Sequence, residues 1–165
     1  MKFKRRVVDS GDSVDSWEFW NSPENKEGMN LIYAGAKSFA NDLERYTTLD
    51  NIEAVTGAWD NPTSTVSFKI GPVDFLLEIE VTEFKNRKTF DARIRIYVWS
   101  DIRGALNRIH ETVKVEEKYN IPLNEAEIKK LFTSMYNDLY NIVKNKRIQN
   151  SELKSLISGI DLPML

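Results

Sequence analysis

The single histidine of the chain, His110, stands between Arg108 and Glu111. An imidazole titrates near neutrality and is the side chain best suited to moving a proton. Catalysis also needs companions, and the sequence has no cysteine and no serine in a nucleophile motif, so His110 reads as a surface or helix-boundary residue. Asp9, Asp12 and Asp15 recur every third residue, and carboxylate oxygens of this kind hold hard cations such as calcium. An EF-hand beginning at Asp9 would need glycine at its sixth position and glutamate at its twelfth, where Val14 and Trp20 stand, so a solvated loop is expected. A phosphate-cradling glycine loop, a dinucleotide glycine motif and a Cys–His zinc spacing are all missing. No catalytic residue, metal site or cofactor is expected.

Glu78, Glu80, Arg93 and Arg95 resemble an acid–base constellation until their register is worked out. From 51 to 99 the apolar residues alternate with polar ones, and the alternation breaks at Asp60-Asn61-Pro62, Gly71-Pro72 and 85–88. Four antiparallel strands follow, over about 51–59, 64–70, 73–84 and 89–99. A four-residue loop at 85–88 makes opposed residue numbers sum to 173. Glu80 then faces Arg93 and Glu78 faces Arg95, while Ile79, Leu77 and Phe75 meet Ile94, Ile96 and Val98 on the other face. The charges become ladder pairs, each of small energetic worth. In the preceding hairpin a sum of 143 sets Phe68 opposite Phe75, Val66 opposite Leu77 and Lys69 opposite Asp74. Pro72 fits poorly in the second central position of a two-residue turn, so a longer loop of the same parity is expected there.

The same parity puts large groups beside the arginines. Leu76 opposes Tyr97, Asp74 opposes Trp99, and Phe84 is expected near the far end of that face. Aromatic residues next to arginine are the composition of interface anchors. Leu76, Arg93, Arg95, Tyr97 and Trp99 are therefore the candidate protein-binding residues. Trp17 and Trp20 of the N-terminal arm either fold over them or join them.

Helices must back this sheet. Ser22-Pro23 is a helix start, and a helix over 23–46 would bury Leu31, Ile32, Gly35, Ala36, Phe39, Ala40, Leu43 and Tyr46. After Ser100, Ile102, Ala105, Leu106, Ile109 and Val113 fit one side of a further helix that Asn120-Ile121-Pro122 ends. Asn124 and Glu127 have capping-box spacing ahead of a helix to about 146, with Ile128, Leu131, Phe132, Met135, Leu139, Ile142 and Val143 along its face. A last helix over 151–158 buries Leu153, Leu156 and Ile157 and stops at Gly159, before an apolar tail over 159–165. Lys2 to Val8 reads as a short strand or an extended arm within an N-terminal region over 1–22.

The fold class expected is α+β in one domain over 1–165. A four-stranded antiparallel meander over 51–99, with a fifth N-terminal strand as an option, is packed by the N-terminal helix and by helices within 101–158.

At 165 residues the chain is long enough for one sizeable core, and 41% hydrophobic with 29% charged residues is the make-up of a water-soluble globule. The lack of cysteine excludes disulfides and suits a reducing, cytoplasmic setting. Acidic and serine-rich residues follow the basic start where a signal peptide would have its apolar run, and no stretch of about 18 apolar residues occurs to span a membrane. Asn, Lys and Ile each occur 14 times, a bias that AT-rich coding would produce in bacteria or phages.

A net charge of −2 argues against a dominant nucleic-acid surface. The chain is expected to be a non-catalytic protein-binding module, acting as a regulator, adaptor, immunity factor or phage-encoded host modifier. One alternative is nucleic-acid binding through the basic N-terminal arm together with Lys129, Lys130, Lys144, Lys146, Arg147 and Lys154. Another is a ligand carrier or enzyme with a cavity between sheet and helices.

Overall fold

The structure, a computed structural model, describes residues 2–3, 22–58 and 61–165. Its strands are β1 (Lys2–Phe3), β2 (Asp50–Ala58), β3 (Pro62–Ile70), β4 (Val73–Lys85), β5 (Thr89–Ser100) and β6 (Ile109–Pro122). Its α-helices are α1 (Pro23–Tyr46), α2 (Glu125–Lys144) and α3 (Ser151–Ile157). The sheet order is the chain order, β1 to β6. Strands β2 to β6 form an antiparallel meander, and β1 lies parallel to β2 with Lys2 beside Val55. The fold is α+β, as the change of period along the chain requires.

The helix starts are set by side chains. Ser22 Oγ accepts the Asn25 N–H, and Asn124 Oδ1 accepts the Glu127 N–H at 2.9 Å. Asn150 Oδ1 accepts the N–H of both Glu152 and Leu153 at 3.0 Å. Helix α1 buries Met29, Ile32, Ala36, Phe39 and Leu43, whereas Tyr46, expected on the same stripe, is exposed. The tail docks: Leu162 is buried, and the Tyr136 hydroxyl donates to the Pro163 carbonyl at 2.5 Å.

Both hairpin registers stand as the alternation requires. Glu80 opposes Arg93, Glu78 opposes Arg95 and Ile79 opposes Ile94; in the earlier hairpin Phe68 opposes Phe75 and Lys69 opposes Asp74. The helices pack on the side of Phe75, Leu77, Ile79, Ile94, Ile96 and Val98, all buried. Phe39 stacks on Phe132 with centroids 5.7 Å apart, Phe68 on Phe75 at 5.3 Å, and Tyr136 tilts against Phe39 and Phe68. Aromatic rings thus occupy the middle of the space between sheet and helices.

Three expectations are corrected. The segment expected as a helix after Ser100 is a tip loop with one short 3-10 turn, Ala105–Asn107, followed by β6. Ser100 does cap, its Oγ accepting the Ile102 N–H at 3.2 Å, but it closes a turn and no helix. β6 runs along the sheet edge and its helix-facing residues include Glu111, Lys114, Glu116 and Lys118, so its period of two carries no apolar signal. The Gly71-Pro72 loop has two residues, with Ile70 opposite Val73. Gly71 takes a φ of 56° and proline cannot follow it with a positive φ, which leaves the II′ arrangement. Finally, a register shift between Val81 and Glu83 reverses the parity of the end of β4, so Phe84 opposes buried Phe90 and packs against Gly28 on the helix side.

Candidate interaction face

The sheet side away from the helices carries the candidate residues in two facing rows. Asp74, Leu76, Glu78 and Glu80 on β4 stand opposite Trp99, Tyr97, Arg95 and Arg93 on β5. Alternation along both strands is what brings them together: their odd-even neighbours form the core, so these must point away from it. Leu76, Arg93, Arg95, Tyr97 and Trp99 are all half-buried. Trp17 and Trp20, and the aspartates 9, 12 and 15, lie outside the described residues.

The centre of the face is an ion-pair network. Arg95 Nη1 lies 3.0 Å from Glu78 Oε1 and 3.3 Å from Glu80 Oε1. Arg93 reaches Glu80 at 3.6 Å and donates from Nε to Glu117 of β6. Glu80 Oε1 is buried and accepts no hydrogen bond; among the described residues its charge is met by the guanidinium groups of Arg93 and Arg95. Burial pushes the Glu78 carboxyl above its usual range, against the opposing pull of its hydrogen bond to Arg95. Burial also raises the Tyr97 hydroxyl, as do the carboxylates beside it. Asp74 is raised by burial, with Lys69 pulling the other way.

Toward the β5–β6 end the charge network gives way to exposed carbon. The Arg108 guanidinium sits 5.5 Å from the centre of the Trp99 ring and is held there by two bonds to Asp101, at 2.8 and 3.4 Å. In the loop between these strands Leu106 is 99% exposed and Ile102 56% exposed. A leucine left in water forgoes roughly 1.5–3 kcal/mol of burial. Sequence reasoning missed both residues as surface groups, because their spacing of four matched the buried side of a helix. Within this loop the available signal was Gly104, whose φ of 94° interrupts regular structure. His110, at the root of the loop, is exposed and opposite Trp99.

The basic residues considered for nucleic acid lie at the two ends of α2, with Lys144 and Lys146 lining one cleft beside Ile157 and Ser158. Lys129 is paired with Asp42 at 2.7 Å and Lys130 lies 3.8 Å from Glu127. Lys144, whose ammonium group lies 5.9 Å from the Tyr140 ring centre, is at the other end of α2, about 22 Å along the axis from Lys129. Lys146 and Arg147 follow it, and Lys154 is exposed on α3.

Among the described residues no group of three or more histidine, aspartate or glutamate side chains is arranged to hold a metal ion. A cleft of about 430 Å³ lies between the first turns of α1 and the β4–β5 loop, lined by Gly28, Leu31, Phe84 and Arg87, and one of about 410 Å³ lies between β6 and α2. Among the described residues no helix is long and apolar enough to cross a membrane. Comparison with protein-family models, with curated proteins and with solved structures finds no match for this chain.

Proposed function

We propose that the protein is a non-catalytic binding module that captures another protein with the helix-free side of its sheet and the adjoining β5–β6 loop. One observation carries this reading: Leu106 and Ile102 stand in solvent in the loop that follows Trp99 along the chain, at the end of the strand that carries the half-buried Tyr97, Arg95 and Arg93 opposite Leu76, Glu78 and Glu80. Hot spots are enriched in tryptophan, tyrosine and arginine, and they need a surrounding shell that excludes water. Here the ion-pair network at the centre of the face holds Arg93 and Arg95 in place beside Tyr97, so the two arginines meet a partner already positioned. The lack of cysteine supports a cytoplasmic site of action. Regulation or inhibition of the captured protein is the role such a module would serve.

The test is affinity purification from the native cell with the wild-type chain and with Leu106→Asp and Tyr97→Ala/Trp99→Ala variants. Loss of the same specific partner in both variants, with circular dichroism unchanged, is the expected result. A partner retained at full yield by both would overturn the assignment of this face.

A further inference from the structure

Among the described residues strand β6 is paired on one side only. β5 occupies one edge, and among the described residues no strand pairs with the other. An unpaired edge is a template for another strand, and proteins commonly deter this by pointing charges inward along it. Lys114, Glu116 and Lys118 do point to the helix side, opposite Ile96, Ile94 and Ala92. On the other side of the same strand Val115 is 57% and Tyr119 67% exposed, which is not how a purely protective edge is built.

From this pattern we infer that β6 pairs antiparallel with β6 of a second copy about a two-fold axis at Glu117. Opposed residues of an antiparallel pair share a face, so with both copies facing the same way the paired numbers must have an even sum. A sum of 232 sets Glu116 against Glu116 and Lys114 against Lys118, and 236 sets Lys118 against itself; both are repulsive. A sum of 230 matches Lys114 with Glu116, but Lys114 is already held 2.6 Å from Asp138 of α2, whereas Lys118 lies 3.7 Å from Glu116 of its own strand and is the looser cation to bring to a second copy. A sum of 234 pairs Glu116 with Lys118 twice on the helix side and brings Val115 toward Tyr119, at the Phe90–Ala92 register shift, on the open side.

The one like-charge contact in this register is Glu117 against its copy. Each Glu117 already accepts a hydrogen bond from its own Arg93, which offsets the repulsion. The charged row therefore selects its own copy in one register and rejects arbitrary strands. The two sheets become one, with both helical layers on one side and both helix-free faces on the other. This inference is independent of the proposed capture of another protein.

The test measures mass by light scattering and sedimentation of the full chain as concentration rises, with three sets of variants. Glu116→Lys and Lys118→Glu, each alone, replace two attractive pairs by two repulsive ones and raise the dimer dissociation constant roughly tenfold or more. Mixing these two variants restores opposite charges across the axis and gives a heterodimer, and the double exchange Glu116→Lys/Lys118→Glu restores the homodimer. The mixing result also shows that the single variants are folded. Glu117→Cys, in a chain otherwise free of cysteine, forms a disulfide-linked dimer on mild oxidation, whereas Val115→Cys does not. A wild-type chain that stays monomeric up to millimolar concentration, single variants that associate as well as wild type, or preferential linkage through Val115→Cys would overturn the inference.

Discussion

Gly35 of α1 and Ile128 of α2 meet with no room for a β-carbon between them: one placed on Gly35 would stand 2.5 Å from Ile128 Cγ2 and 3.1 Å from the Glu125 carbonyl oxygen. The glycine is where the backbones of the two long helices are brought close, a turn before Phe39 stacks on Phe132. Replacing it with alanine should gain about 1 kcal/mol of helix propensity and lose about 1–3 kcal/mol to overpacking. Because backbone is one of the blocking groups, the loss should win, and urea denaturation of Gly35→Ala should show lower stability. Gly28→Ala should cost less, since its β-carbon would meet only the far edge of the Phe84 ring, which can swing.

Glu111 ties the sheet edge to the last helix. Its carboxylate accepts the N–H of Gln149 at 2.9 Å and of Asn150 at 2.6 Å, and Asn150 in turn caps α3. Glu111→Ala should leave the meander intact and loosen the start of α3. Hydrogen exchange should then rise selectively over 149–157.

The acid limb of stability should be shaped by Asp91. Its carboxylate accepts the Asn120 N–H at 2.9 Å and lies 2.9 Å from Lys85 Nζ, and these contacts hold it below the usual aspartate range. A depressed native value means stability that is complete above the unfolded value near 3.9 and is lost as pH falls through the native one. Glu78 has the opposite sign: its raised native value makes the folded protein take up the proton more readily, so its contribution improves as pH falls. Denaturation midpoints measured from pH 6 down to 2 should therefore fall less steeply for Asp91→Asn than for wild type, and more steeply for Glu78→Gln.

Leu106→Asp should change stability by no more than about 0.5 kcal/mol, because the side chain touches solvent almost entirely. The same substitution on the buried stripe of a helix would be ruinous. Thermal unfolding of this variant thus checks the loop directly and certifies it for the binding experiment.

Where both faces of a strand carry information, the register is legible to the residue: Glu78 with Arg95 on one face and Leu77 with Ile96 on the other leave one solution. β6 was illegible because an edge strand extends past its helical cover. Glu111, Lys114 and Glu116 occupy positions that would be apolar in a central strand. The spacing of Ile102 and Leu106 then imitated a helix. Phe84 was misplaced by one extra residue in β4, since a bulge reverses every side chain beyond it and the reversal leaves no mark on composition. The outer face itself was found through parity, while its most exposed anchors lay in the loop that parity does not govern.

The chain-ordered meander has a consequence for how the protein is made. Each strand from β2 onward meets a partner that has just left the ribosome, so ladder formation closes only short loops and sacrifices little entropy. The junction of α1 with α2 must wait until all the strands that separate them in sequence have been made. Until then the phenylalanine-rich side of the ribbon has only α1 to cover it, and that interval is when the newborn polypeptide is most exposed to clumping or to a chaperone.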